Sequence, residues 1–251
     1  MRALRWAVIL LLIWGCGERP KLERLPGDAV VLAFGDSLTF GTGASAEESY
    51  PAQLEKLIGR RVVRAGVPGE VTAQALARLP ETLDEHAPRL LLLCIGGNDF
   101  LRRLGNEQAE HNVREMVRLA QSRGIAVLLI GTPEPGFTVS PPAFYAGIAK
   151  EFRLPYEPGV IGEVLKDRTL KSDPIHPNAR GYRVIAERLA ERLKSSGAIR
   201  AGPDPPGGRR PTRCASCASG CRRAASRSAR TRAGRPTRCA GTIPFSHSLH
   251  L

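Results

Sequence analysis

Apolar residues along this chain fall into short unbroken runs, separated by longer stretches in which they recur at helical spacing. Ala29 to Phe34, Leu90 to Ile95 and Ile125 to Ile130 contain no polar side chain, as expected of central strands in a parallel sheet covered on both faces. Arg61 to Ala65 and Leu154 to Tyr156 predict two further strands. Between the strands the period changes. Leu54, Leu57 and Ile58 mark a helix over Tyr50 to Gly59, and Ala109, Val113, Met116, Val117 and Ala120 form one stripe of a helix over Glu107 to Arg123, which Gly124 stops. Val71 to Leu79 and Pro80 to His86 predict two short helices broken at the proline. Phe144 to Phe152 predicts another, and Pro177 opens a last helix reaching about Ser195.

Strands that alternate with helices predict an α/β domain with a central parallel sheet between two helical layers, a three-layer α/β/α flavodoxin-like arrangement. In such sheets ligands sit at the carboxyl ends of the strands.

The formal charge of +13 over 251 residues suggests a nucleic-acid partner until it is divided along the chain. Arg2 and Arg5 lie in the first 16 residues. Ten arginines and one acid, Asp204, lie after residue 200, which leaves Gly17 to Arg200 at +2. The folded part is nearly neutral, and no nucleic-acid face is expected. The opening residues have a secretory layout, with two arginines, a nine-residue apolar run from Trp6 to Trp14 that is too short to span a bilayer, and then Gly15-Cys16. Residues 1–16 therefore read as a lipoprotein-type signal, with Cys16 as the lipidation site, and residues 17–28 as a tether. The location expected is the periplasmic side of a bacterial cell envelope, with the membrane as partner through the lipid anchor. Residues 29–197 form the domain, expected as a monomer. Residues 198–251, rich in Arg, Pro and Cys and poor in large apolar side chains, read as a disordered extension. Within Gly17 to Arg200 the single cysteine is Cys94, a core thiol inside a leucine run.

The candidate chemistry lies at the ends of the strands. Gly35-Asp36-Ser37-Leu38 follows the first strand, Gly66-Val67-Pro68-Gly69-Glu70 the second, Gly96-Gly97-Asn98-Asp99 the third, and Asp173-Pro174-Ile175-His176 the fifth. Each is an ordinary turn when taken alone. Together they bring to one edge of the sheet what acyl transfer requires. Ser37 is the candidate nucleophile and His176 the base. Asp173, three residues earlier, can fold back to orient the imidazole. The Ser37 and Gly69 N–H groups and the Asn98 amide are candidate donors to an oxyanion.

These four stretches resemble the blocks of the SGNH hydrolases, the GDSL esterase/lipase family, and within it the acyl-CoA thioesterase I/arylesterase/lysophospholipase group. The similarity covers about Val30 to Leu193, with Pro174 standing where many relatives carry glycine. The resemblance implies a serine esterase or thioesterase acting on small ester or thioester substrates through an acyl-enzyme. Ser37, Asp173 and His176 would be catalytic, Ser37, Gly69 and Asn98 would form the oxyanion hole, and no metal or cofactor is implied. The alternatives are a carbohydrate or peptidoglycan O-deacetylase of the same fold and a non-catalytic envelope lipoprotein.

Overall fold

The computed structural model describes residues 20–200, apart from 135, 137 and 138. Cys16, the signal segment, Phe137 and the extension after residue 200 lie outside the described residues. Five parallel strands, β1 (Val31–Gly35), β2 (Val62–Gly66), β3 (Leu90–Cys94), β4 (Ala126–Ile130) and β5 (Tyr156–Glu157), form one sheet in the order β2-β1-β3-β4-β5. The helices are α1 (Ser37–Phe40), α2 (Tyr50–Ile58), α3 (Thr72–His86), α4 (Gly97–Leu101), α5 (Asn106–Ser122), α6 (Ala143–Glu151), α7 (Val160–Lys166) and α8 (Ala179–Ser195). No helix among the described residues is long and apolar enough to cross a membrane.

The leucine run of β3 divides its side chains between the two faces, as a strand must. Leu90, Leu92 and Cys94 pack with Leu54 of α2, Val164 of α7, and Ile185 and Leu189 of α8. Leu91, Leu93 and Ile95 pack with Leu79 of α3, Val113 and Met116 of α5, and Ile148 of α6. Because both faces are covered, an apolar run without alternation is the correct signal for these strands.

Two expectations change. The segments predicted as separate helices on either side of Pro80 form the single helix α3. An interior proline removes one backbone hydrogen bond and costs about 3 kcal/mol. Ala75, Leu79 and Leu83, spaced by four, are all buried on one face of α3, and each buried leucine contributes roughly 1.5–3 kcal/mol. Packing on both sides of the proline thus outweighs the break. The last helix starts at Ala179 rather than Pro177, because the Asn178 side chain accepts from the Gly181 N–H at 3.1 Å and caps it. Periodicity also missed α7, a seven-residue helix too short for a periodic signal.

The chain enters and leaves along the amino edge of the sheet. Leu22 N–H donates to Ser196 C=O at 2.8 Å, and Leu25 N–H donates to Ala198 C=O at 2.9 Å. Leu25, in the stretch read as a tether, is buried with Ala198 and Ile199, two residues read with the extension.

Candidate active site

Strand β1 delivers the serine. A side chain at Gly35 would bring its Cβ within 1.8 Å of the Cys94 carbonyl oxygen, so only glycine lets β1 run to its end beside β3. The chain then turns sharply. Asp36, buried, caps α1 by accepting from the Leu38 N–H at 3.0 Å. Ser37 is the first residue of α1, where a backbone N–H has no acceptor within the helix.

The last turn before α8 delivers the histidine. One oxygen of Asp173 accepts from the N–H groups of Ile175 at 2.9 Å and His176 at 2.8 Å. The other oxygen lies 2.7 Å from His176 Nδ1. Pro174 has no N–H, so the carboxylate engages the next two residues. Burial raises the Asp173 pKa, but the hydrogen bonds from the imidazole and the two N–H groups outweigh it, and the carboxyl lies below its ordinary value. With Nδ1 fixed in this way, Nε2 lies 3.0 Å from Ser37 Oγ. Ser37, His176 and Asp173 thus form a continuous hydrogen-bonded relay across 139 residues of sequence.

The β2 and β3 loops flank it. Gly69 has a φ of +78°, and a Cβ there would meet only the Arg102 guanidinium, at 3.6 Å. Conformation, not crowding, is what calls for glycine at this position. The Asn98 amide nitrogen donates to the Glu70 carbonyl at 3.0 Å, so one of its two hydrogens is fixed and its orientation is set. Asp99 reinforces the junction by accepting from Thr72 N–H at 2.9 Å and Thr72 Oγ1 at 2.6 Å. Asn112 of α5 donates to the same hydroxyl at 2.9 Å. Asp99, Thr72 and Asn112 are all buried.

Ser37, Asn98 and His176 share one cleft of about 250 Å³. Gly69 stands one residue before the carbonyl that holds Asn98. The loop after β4 supplies Thr132, Pro133 and Val139 to the cleft, and Leu101, Leu165 and Ile175 complete an apolar side. Leu101 and Ile175 stand half-exposed at its mouth. Under the serine the electrostatics are unusual. The Asp36 carboxyl is pushed up to about 7, first by burial and further by the Glu70 and Asp99 carboxylates, against the Leu38 hydrogen bond. Burial likewise pushes the Cys94 thiol far up, so it is an inert core group. Among the described residues no group of three or more His, Cys, Asp or Glu side chains could hold a metal.

The GDSL-like lipase/acylhydrolase family model matches residues 33–184, a span holding all four strand-end stretches. The chain is 34% identical over 172 residues to thioesterase 1/protease 1/lysophospholipase L1 of Escherichia coli strain K12, covering 65% of this chain and 83% of that protein. It is 29% identical over 174 residues to the arylesterase of Vibrio mimicus, covering 65% and 87%. The solved structure of TesA matches with a TM-score of 0.61 at 28% identity, over 66% of this chain and 99% of that one. The chain therefore belongs to the GDSL-like lipase/acylhydrolase family, and it is a serine ester hydrolase with the SGNH fold.

Sequence reading brought forward Ser37, Gly69, Asn98, Asp173 and His176, and the fold gathers all five at one edge. It passed over Glu70, Arg78, Thr72 and Asp99 as partners, and it did not single out Asp36 as a buried acid. Glu70 and Arg78 lie eight residues apart across a loop and a helix start, so no local spacing announces their pairing.

Proposed function

We propose that the protein is an esterase or thioesterase that works through an acyl-enzyme on Ser37. The single observation that carries this reading is the 3.0 Å contact from His176 Nε2 to Ser37 Oγ, with Nδ1 held 2.7 Å from Asp173. Ser37 Oγ attacks the acyl carbonyl carbon as His176 Nε2 takes its proton. Asp173 keeps the ring oriented and stabilises the imidazolium. The carbonyl oxygen becomes an oxyanion facing the Ser37 and Gly69 N–H groups and the second Asn98 hydrogen. His176 returns the proton to the departing alcohol or thiol. Water, activated by the same imidazole, then releases the acid and restores the serine.

The cleft argues for the substrate class. At about 250 Å³ it is smaller than the roughly 300–1,000 Å³ of pockets that enclose drug-sized ligands. Its apolar side suits a short or medium acyl chain, each buried methylene stabilising binding by about 0.8 kcal/mol while the cleft lasts. Aryl esters, acyl thioesters and lysophospholipid-like esters fit this description, in keeping with the names of the relatives.

We further propose an envelope protein anchored through Cys16, which becomes the lipidated first residue once residues 1–15 are removed. Its support is the order of charge, apolar run and cysteine in the sequence. The two proposals are tested separately. Ser37→Ala should abolish p-nitrophenyl ester hydrolysis, by on the order of 10⁶ in kcat, and should end labelling by a fluorophosphonate. Retention of either activity overturns the mechanism. Across p-nitrophenyl esters from acetyl to palmitoyl, kcat/KM should rise and then level off. A rate confined to acetylated sugars would move the assignment to deacetylation. Incorporation of labelled fatty acid should disappear in Cys16→Ser, and a mature protein that begins elsewhere would refute the anchor.

A further inference from the structure

The guanidinium of Arg78, on α3, gathers the ends of β1 and β2 and the loop that follows β2. Its Nε donates to Glu70 Oε1 at 2.6 Å and its Nη2 to Glu70 Oε2 at 2.7 Å. The same Nη2 reaches Ala65 C=O at 3.0 Å, near the end of β2, and Gly35 C=O at 3.3 Å, at the end of β1. Two hydrogens serve these three acceptors, so one of them is shared. The face of the guanidinium lies 4.0 Å from the Phe34 ring centroid. Glu70 is 5% exposed, and its carbonyl is the acceptor that orients Asn98. An unbroken path therefore runs from Arg78 through the two ends of Glu70 to the Asn98 amide.

We propose that Arg78 is a positioning residue for the oxyanion donor Asn98, acting through the backbone of Glu70. The inference rests on the reading of Asn98 given above. A forked, planar cation can hold both oxygens of Glu70 and a strand-end carbonyl at once, which an ammonium cannot. Fixing the Glu70 side chain fixes its peptide plane, and the carbonyl of that residue sets the direction of the second Asn98 hydrogen. Such a donor acts only on the charge that develops in the transition state, so its displacement lowers kcat and leaves KM.

A double-mutant cycle in the full chain tests this. kcat and KM for p-nitrophenyl butyrate are measured in the wild type, Arg78→Lys, Asn98→Ala and the double variant, with the melting temperature of each. Arg78→Lys should lower kcat by roughly 10–10²-fold, the scale of a catalytic group misplaced by about 1 Å, with KM within about twofold of wild type. In the Asn98→Ala background the same change should cost roughly threefold or less, because the group it positions is gone. A merely structural role gives equal losses in both backgrounds and a lowered melting temperature, and that result overturns the proposal. If Arg78→Lys does not fold, Glu70→Gln, which keeps the shape and weakens the pairing, replaces it in the cycle with the same expectations. Asn98→Ala at the wild-type rate would instead remove the reading of Asn98 and this inference with it.

Discussion

Asp36 invites a stability experiment whose sign is fixed by its surroundings. The residue is buried next to Ser37, and its carboxyl is pushed up to about 7 in the folded protein against 3.8 ordinarily. Between those values the native state holds a proton that the unfolded chain has released. Stability therefore falls as pH rises from about 4 to about 7, and levels off above about 8. At 1.36 kcal/mol per unit, a shift of about three units corresponds to about 4 kcal/mol across the window as an upper bound. Asp36→Asn keeps the oxygen that accepts from Leu38 N–H and cannot ionise. Urea unfolding of both proteins from about pH 5 to pH 8.5 should give curves that diverge, the variant gaining on the wild type by a few kcal/mol toward alkaline pH. Asp173, whose depressed pKa contributes stability above its ordinary value and loses it in acid, is common to both proteins and drops out of the difference. Parallel curves would refute the argument, since a carboxyl that ionises normally leaves no pH dependence for Asn to remove.

Three further outcomes are expected. Asn98→Ala should lower kcat by roughly 10²–10³-fold while fluorophosphonate still labels Ser37 slowly, as removal of one oxyanion donor does elsewhere; steady-state kinetics and labelling rates check it. Asp173→Asn should lower kcat by about 10⁴-fold with little change in KM, because the imidazole loses its orienting anion. Truncation after Arg200 should leave kcat/KM and the melting temperature unchanged, whereas truncation after Gly197 should lower the melting temperature, since it removes buried Ala198 and Ile199 and the carbonyl that accepts from Leu25.

The sheet was legible because its central strands β1, β3 and β4 are buried on both faces and leave uninterrupted apolar runs such as Leu90 to Ile95. The relay was legible because its members sit at strand ends, where an α/β sheet collects its ligands, and because Asp173 and His176 are close in sequence. Pro80 misled because propensity is local, whereas the burial of Leu79 and Leu83 against the sheet is not. Periodicity cannot see the packing that holds a helix through a proline. Glu70 and Arg78 escaped notice for a different reason. A charged residue in a helical stretch, such as Arg78, reads as solvated surface, and only the fold brings it to Glu70 in the loop after β2.

The hydrogen bonds that join Leu22 to Ser196 and Leu25 to Ala198 put the two ends of the domain side by side, next to Arg89, which precedes β3, and Ala126, which opens β4. The cleft is at the other end of those strands. Leu22 and Leu25, near the start of the described residues, thus lie at the opposite end of the sheet from Ser37. Adjacent ends also allow the chain to be closed by a short linker and reopened at a surface turn such as Gly124, a circular permutation that leaves every strand-end loop of the site continuous.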